Sequence, residues 1–91
     1  MTVVEQMRDR LAALAPQSME IIDDSEKHAG HAGARAGGGH YRLRIVASGF
    51  AGLKTMQRHR MVYDALGPLM RREIHALSID ARAPGEAPAP H

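Results

Sequence analysis

The spacing of apolar residues predicts a helix and then a strand at the start of the chain. Thr2 and Glu5 have the spacing of a capping box, in which each residue satisfies the free amide of the other. The helix should bury one face, because four apolar residues recur with helical spacing: Val4, Met7, Leu11 and Leu14. Pro16 ends it, since proline cannot continue the hydrogen-bond ladder. The partly β-branched segment 19–22, closed by the polar residues 23–25, predicts the first strand.

A long loop and a second strand follow. Residues 25–39 are rich in glycine, alanine and histidine, with almost no side chain that a core could bury, and they predict a flexible loop. Loops of this length in so small a domain are uncommon and often functional. The second strand is indicated by alternation, since the apolar residues from Tyr41 to Ile45 share one face while Arg42 and Arg44 share the other.

The rest of the chain predicts a second helix, a short third helix and a third strand. Residues 54–66 form the second helix, along whose buried stripe we expect Met56, His59, Val62, Tyr63 and Leu66. Gly67 breaks it, and Pro68 starts a short helix through Glu73, because proline is favoured at the first helical position. Residues 75–79 alternate as a strand, in which His75 shares a face with Leu77 and Ile79.

These elements compose one small α+β domain over residues 1–82. In the order αββααβ, three strands form a sheet and the helices pack on one of its faces. Residues 83–91 are rich in proline and alanine and contain no core-forming side chain, so we expect a disordered tail. The sequence has 91 residues, which is enough for one domain.

Composition and motifs exclude several classes of site. The chain has no cysteine. It can therefore form no disulfide, supply no thiolate ligand to a zinc ion or an iron–sulfur cluster, and use no cysteine nucleophile. It contains no phosphate-binding loop and no nucleophile elbow, and we therefore expect no enzymatic activity. No apolar run approaches the ~20 residues of a membrane span, and the N-terminus lacks the pattern of a signal peptide. We expect a cytoplasmic protein with no membrane partner.

Charge is uneven along the chain. The formal net charge is +2, but residues 29–73 carry eight Lys and Arg against Asp64 and Glu73. Such a segment has two equally good interpretations. It is either a binding surface for an acidic protein or a phosphate backbone, or an ordinary solvated surface of mixed charge. The candidate phosphate contacts are Arg58, Arg60, Arg71 and Arg72. Residues 49–52 have the Gly-X-X-Gly spacing of the nucleotide-clamping loop of KH domains, but they follow a strand instead of joining two helices, which indicates a coincidence.

Six histidines are the candidate metal ligands. Three lie in or beside the glycine-rich loop, either as solvated side chains or as a ligand arm: His28, His31 and His40. His59 is better explained as a core or boundary residue of the second helix. His75 is either a core residue or, at a sheet edge, a ligand to a metal that a partner holds. The spacing predicts no zinc site built by this chain alone, and His91 at the chain end carries little weight.

Two sequence blocks resemble the signature of BolA-like proteins: residues 57–63, Gln-Arg-His-Arg-Met-Val-Tyr, and residues 74–79, Ile-His-Ala-Leu-Ser-Ile. Further matches in order and spacing are Asp24-Ser25 with His28, residues 40–43, and residues 50–52. The resemblance covers about residues 2–86. It implies a class II KH-like fold, whose αββααβ order agrees with the one that periodicity predicts.

The resemblance also implies a function. BolA-like proteins pair with monothiol glutaredoxins of the Cys-Gly-Phe-Ser type and share a bridging [2Fe–2S] cluster. The glutaredoxin and its glutathione supply the sulfur ligands, and the BolA partner supplies histidine. By position His75 is one ligand and His28 the second, with His31 and His40 as nearby substitutes. BolA-like proteins are also described as transcription factors, so the alternative is a DNA-binding regulator that uses the basic second helix, and a homodimer stays open.

Overall fold

The elements of the structure follow the predicted α+β order. A computed structural model describes residues 1–25 and 39–87, so nearly all of the predicted loop lies outside the described residues. The helices and strands are α1 (Val3–Leu11), β1 (Ser18–Asp23), β2 (Gly39–Val46), α2 (Thr55–Leu66) and β3 (Ile74–Arg82). A 3₁₀ turn at Gly67–Arg71 takes the place of the predicted third helix, which is too short for regular α-helical bonding. None of the helices described is long and apolar enough to cross a membrane.

The three strands form one mixed sheet with β2 in the centre. β1 and β2 are antiparallel, and Ser18 lies opposite Val46. β2 and β3 are parallel, so the chain must return from one end of the sheet to the other between them. Helix α2 makes this crossing over one face, the same face on which α1 packs, as predicted.

The core lies between that face and the two helices. Strand alternation directs Tyr41, Leu43 and Ile45 toward the helices, which contribute four buried side chains: Met7, Leu11, Val62 and Leu66. Phe50, the single phenylalanine of the sequence, is fully buried in the turn after β2. The Gly-X-X-Gly segment therefore closes the core at the end of a strand.

The buried stripe of α2 is narrower than predicted. Val62 and Leu66 are fully buried, but Met56 is 74% exposed and Tyr63 is 40% exposed. With 3.6 residues per turn, Met56 lies about 120° around the helix from Val62, and Tyr63 lies about 100° from it. The predicted five-residue stripe was too wide, because it spans more of the helix circumference than the sheet can cover.

β3 is longer than predicted and is followed by an ordered turn. It begins at the buried Ile74 and extends to Arg82. Ala83, which the composition assigned to a disordered tail, is 6% exposed and belongs to the core. Glu86 holds this turn, because its carboxylate accepts hydrogen bonds from the Ala83 amide at 3.0 Å and from the Arg58 guanidinium. The rest of the predicted tail, residues 88–91, lies outside the described residues.

Candidate metal centre

His40 and His75 lie side by side at one end of the sheet. The centroids of their imidazole rings are 5.2 Å apart, and the ring planes are inclined by 46°. His40 is half-buried near the start of β2, whereas His75 is exposed near the start of β3. The exposure of His75 corrects the prediction that it shares the apolar face of Leu77 and Ile79.

A bulge in β3 accounts for the position of His75. Gly39 lies opposite Ile74, but the next residue, His40, lies opposite Ala76, so His75 is an extra residue in the ladder. An extra residue interrupts the alternation of a strand and changes the direction in which the bulged side chain points. Here it brings the His75 ring next to His40, where two adjacent strands begin.

The backbone of His40 is held by the end of β1. Its carbonyl accepts a hydrogen bond from the Asp24 amide at 2.8 Å, and its amide donates to the Ser25 hydroxyl at 3.1 Å. The Asp23 carboxylate in turn accepts a hydrogen bond from the Ser25 amide at 2.9 Å. These contacts confirm the polar turn that the sequence predicts at residues 23–25.

A shallow depression of about 310 Å³ adjoins His40 on the face of the sheet that the helices leave open. Asp24, Arg42 and Ser78 are among its lining residues. The Arg42 Nε atom lies 2.6 Å from the Asp24 carboxylate, so the two charges compensate one another. The surface beside His40 is therefore concave, and the charges of Arg42 and Asp24 offset one another there.

The pair places two imidazoles, a type of side chain that can bind metal, next to one another. Neutral imidazole is a common metal ligand, but a four-coordinate ion needs two more ligands. Within residues 1–25 and 39–87, no three histidine, cysteine or carboxylate side chains gather into a metal site. His28 and His31 lie outside the described residues. The structure thus brings together the first predicted ligand, His75, and one predicted substitute, His40.

Comparison with known proteins decides the family. The family model for BolA-like proteins matches residues 11–86. The chain belongs to the BolA-like family. Its sequence is 39% identical over 87 residues to protein BOLA1, chloroplastic, from Arabidopsis thaliana, an alignment that covers 91% of this chain and 54% of that protein. The chain therefore spans about half the length of this plant relative.

Two further comparisons bear on fold and function. The solved structure of BolA1 from Arabidopsis thaliana matches this BolA-like chain with a TM-score of 0.81 and 37% identity, covering 97% of this chain and 98% of that one. The DNA-binding transcriptional regulator BolA of Escherichia coli is 31% identical over 80 residues, which cover 87% of this chain and 73% of the regulator. The first comparison supports the fold described above.

Among the predicted phosphate contacts of this BolA-like chain, Arg58 is engaged within the protein. Its guanidinium donates hydrogen bonds to the carbonyls of Leu53 at 2.9 Å and Ala81 at 3.0 Å, and to both carboxylate oxygens of Glu86. Only 13% of the side chain is exposed. The hydrogen bond from Arg58 is the main cause that lowers the pKa of Glu86 to about 2. This role of Arg58 could not be predicted from local patterns, because Glu86 lies 28 positions away in the predicted tail.

The other three candidate arginines face solvent. Arg60, Arg71 and Arg72 are exposed, and none of them forms an ion pair within the part of the chain that the structure describes. The three arginines of the sheet, by contrast, each pair with a carboxylate: Arg42, Arg44 and Arg82. Uncompensated positive charge therefore occurs on α2 and between α2 and β3.

His59 lies apart from the histidine pair. Together with Thr55, Asp80 and Glu86 it lines a second depression, of about 200 Å³, near the C-terminal end of β3. The residue is half-buried. This boundary position is the one that the sequence predicted for it, and it separates His59 from His75, which lies at the start of the same strand.

Proposed function

We propose that this BolA-like chain is a non-catalytic adaptor that pairs with a monothiol glutaredoxin of the Cys-Gly-Phe-Ser type. In the pair, His40 and His75 would supply two ligands to a shared [2Fe–2S] cluster, in a role in iron–sulfur trafficking or iron regulation. The observation that carries the proposal is the proximity of the two imidazole rings, 5.2 Å apart where two strands begin.

The separation of the rings fits two ligands of one metal ion. A metal–nitrogen bond of about 2.1 Å and a tetrahedral angle at the metal place the centroids of two bound imidazoles about 5 Å apart. The observed separation agrees with this value. The spacing of the His40 and His75 rings therefore supports the proposal that both could bind one ion.

The composition of the chain fits a cluster whose sulfur ligands come from a partner. Without cysteine the chain supplies no thiolate, and the glutaredoxin and its glutathione would provide the sulfur. Histidine in place of cysteine on one iron raises the reduction potential of the cluster, and this one-electron chemistry is what the group would supply. Because histidine binds a metal only as the neutral imidazole, we expect low pH to weaken the ligation.

The test is anaerobic reconstitution of the full chain with a Cys-Gly-Phe-Ser glutaredoxin, glutathione, iron and sulfide, followed by visible absorption and circular dichroism. The wild-type pair is expected to give a spectrum distinct from that of the glutaredoxin alone, and His75→Ala and His40→Ala are each expected to abolish the difference. His59→Ala is the matched control, because His59 is half-buried near the other end of β3. A spectrum unaffected by His75→Ala refutes the ligand assignment.

A further variant separates the two candidates for the second ligand. The family resemblance implies His28, whereas the ring geometry favours His40. If His28→Ala changes the spectrum and His40→Ala leaves it intact, the ligand comes from the predicted loop. The opposite result assigns His40, and His31→Ala serves as the comparison within the loop.

A second candidate function is DNA binding by a transcriptional regulator. Two observations favour it: the exposed, unpaired guanidinium groups of Arg60, Arg71 and Arg72, and the similarity to an Escherichia coli protein named as a DNA-binding transcriptional regulator. Arg58 is left out of this interface, because its donors are occupied by Glu86 and by backbone carbonyls. Phosphate contacts of this kind give binding that weakens steeply with salt.

The salt dependence of DNA affinity tests this second function. Arg60→Ala and Arg71→Ala are each expected to reduce the slope of log K against log[salt] by about 1. Arg44→Ala is the control, since Arg44 lies on the open face of the sheet, 3.6 Å from Glu20. The absence of binding at low ionic strength, or an equal loss of slope in the control, would exclude this interface.

A further inference from the structure

The Ser25 hydroxyl joins the end of β1 to the start of β2. The His40 amide donates to the Ser25 Oγ atom at 3.1 Å. In a continued antiparallel ladder this amide would bond to a backbone carbonyl of β1, since the His40 carbonyl already accepts from the Asp24 amide at 2.8 Å. The hydroxyl therefore takes the place of a ladder acceptor one position beyond the last β1–β2 pair, Asp23 and Tyr41.

Several contacts fix the hydroxyl itself. The Ser25 amide donates to the Asp23 carboxylate at 2.9 Å, which orients the residue. The Ser25 hydroxyl lies near the Tyr41 phenol, since both oxygens would be 2.6 Å from a Cβ atom on Gly39. Burial is the main cause that raises the pKa of Tyr41, and the Ser25 side chain opposes this rise. Gly39 leaves the space for this arrangement, because a Cβ atom there would lie 2.6 Å from both the Ser25 Oγ atom and the Tyr41 hydroxyl oxygen.

The same junction lies opposite the bulge that places His75. The register of β2 against β3 shifts between Gly39 and His40, and the Gly39 amide donates to the Glu73 carbonyl at 2.9 Å. The start of β2 is therefore held by β3 on one side and by the Ser25 hydroxyl on the other. A displacement of this start relative to β3 would change the separation between the rings of His40 and His75.

We propose that Ser25 is a positioning residue, whose hydroxyl fixes the start of β2 so that the His40 imidazole stays within reach of His75. The consequence for cluster ligation rests on the function proposed above. The contact between the rings involves side chains of this chain alone, however, so it can be tested without the partner.

The first test uses the full metal-free chain in three forms: wild type, Ser25→Ala and Ser78→Ala. Ser78 is the matched control, because it is exposed, lines the depression beside His40, and makes no side-chain hydrogen bond among the described residues. Wild type and Ser78→Ala are expected to show nuclear Overhauser contacts between the ring protons of His40 and His75. Ser25→Ala is expected to lose them, and their retention in Ser25→Ala overturns the proposal.

Amide hydrogen exchange separates a local displacement from general unfolding. In Ser25→Ala the His40 amide is expected to exchange faster than in wild type, while amides at the centre of β2, such as that of Leu43, keep their wild-type rates. Faster exchange throughout the sheet would mean that Ser25 only stabilises the fold, and it would overturn the positioning role.

Reconstitution with the glutaredoxin then distinguishes this inference from the proposed function. Ser25→Ala is expected to lose the spectrum of the mixed complex, and Ser78→Ala is expected to keep it. If Ser25→Ala loses the ring contacts and yet gives the wild-type cluster spectrum, Ser25 positions His40 but His40 is no ligand. In that case the inference stands and the ligand assignment fails.

Discussion

Replacing Gly39 by alanine tests the packing that supports the histidine pair. A Cβ atom at this position would lie 2.6 Å from the Ser25 Oγ atom, 2.6 Å from the Tyr41 hydroxyl oxygen and 2.8 Å from the Tyr41 Cε2 atom. Tyr41 is only 7% exposed, so its ring has little room to move. The backbone of Gly39 is not left-handed, so the substitution introduces a steric conflict without backbone strain.

Two opposing effects set the magnitude. Extra atoms in a packed region cost about 1–3 kcal/mol of unfolding free energy. Alanine in place of glycine also restricts the unfolded chain, which stabilises the native state by about 0.4–1 kcal/mol where the backbone is compatible. The steric cost wins, since both partners of the Cβ atom lie well inside contact distance, and we expect Gly39→Ala to lower the unfolding free energy by about 1–2 kcal/mol.

Urea denaturation of the two alanine variants Gly39→Ala and Gly49→Ala measures this difference. Gly49 is the matched control, because a Cβ atom there would meet only the Met61 methyl group at 3.8 Å and its backbone is also not left-handed. Gly49→Ala should be as stable as wild type or slightly more stable, while the thermal midpoint of Gly39→Ala should fall by about 4–8 °C per kcal/mol. If Gly39→Ala and Gly49→Ala are equally stable, this result contradicts the conclusion that Ser25 and Tyr41 pack closely around Gly39.

Three further predictions follow from the other parts of the structure. Because its folded-state pKa of about 2 lies below its ordinary value, Glu86 stabilises the native chain at neutral pH. This contribution should be lost as the pH falls from about 4.5 toward 2, so the urea midpoint of the wild type should decrease over this range. The urea midpoint of Glu86→Gln should decrease less over the same range, because the variant has no carboxylate to protonate. Phe50→Ala should cost about 3–5 kcal/mol in urea denaturation, since the ring is fully buried, and a loss below 1 kcal/mol would contradict its place in the core. Arg71 and Arg72 lie within four residues of His75, at most about 14 Å along an extended chain, so a glutaredoxin held at His75 should compete with DNA; equal DNA affinity with and without the glutaredoxin would exclude overlapping surfaces.

Local patterns predicted most of the fold. The capping box at Thr2 and Glu5 is confirmed, with hydrogen bonds of 3.1 and 3.0 Å between the two residues. The alternation in β2 also predicted which side chains enter the core, because a strand with one buried face leaves little freedom in the choice of face. The failures lie where a local pattern had to compete with tertiary contacts: the width of the α2 stripe depends on the sheet that covers it, and the turn at Ala83 depends on Arg58.

The histidine site shows why a strand pattern alone could not predict the pair. Period-two alternation places His75 on the face of Leu77, and nothing in residues 74–79 signals an extra residue. The bulge becomes visible only when β3 is aligned with β2, because the offset between paired residues changes by one between Gly39 and His40. A polar turn and a glycine, neither of them a candidate ligand, hold His40 at that register. The proximity of the two histidines is therefore a property of the pairing between the two strands, and each histidine taken alone has an equally good explanation as an ordinary surface or core residue.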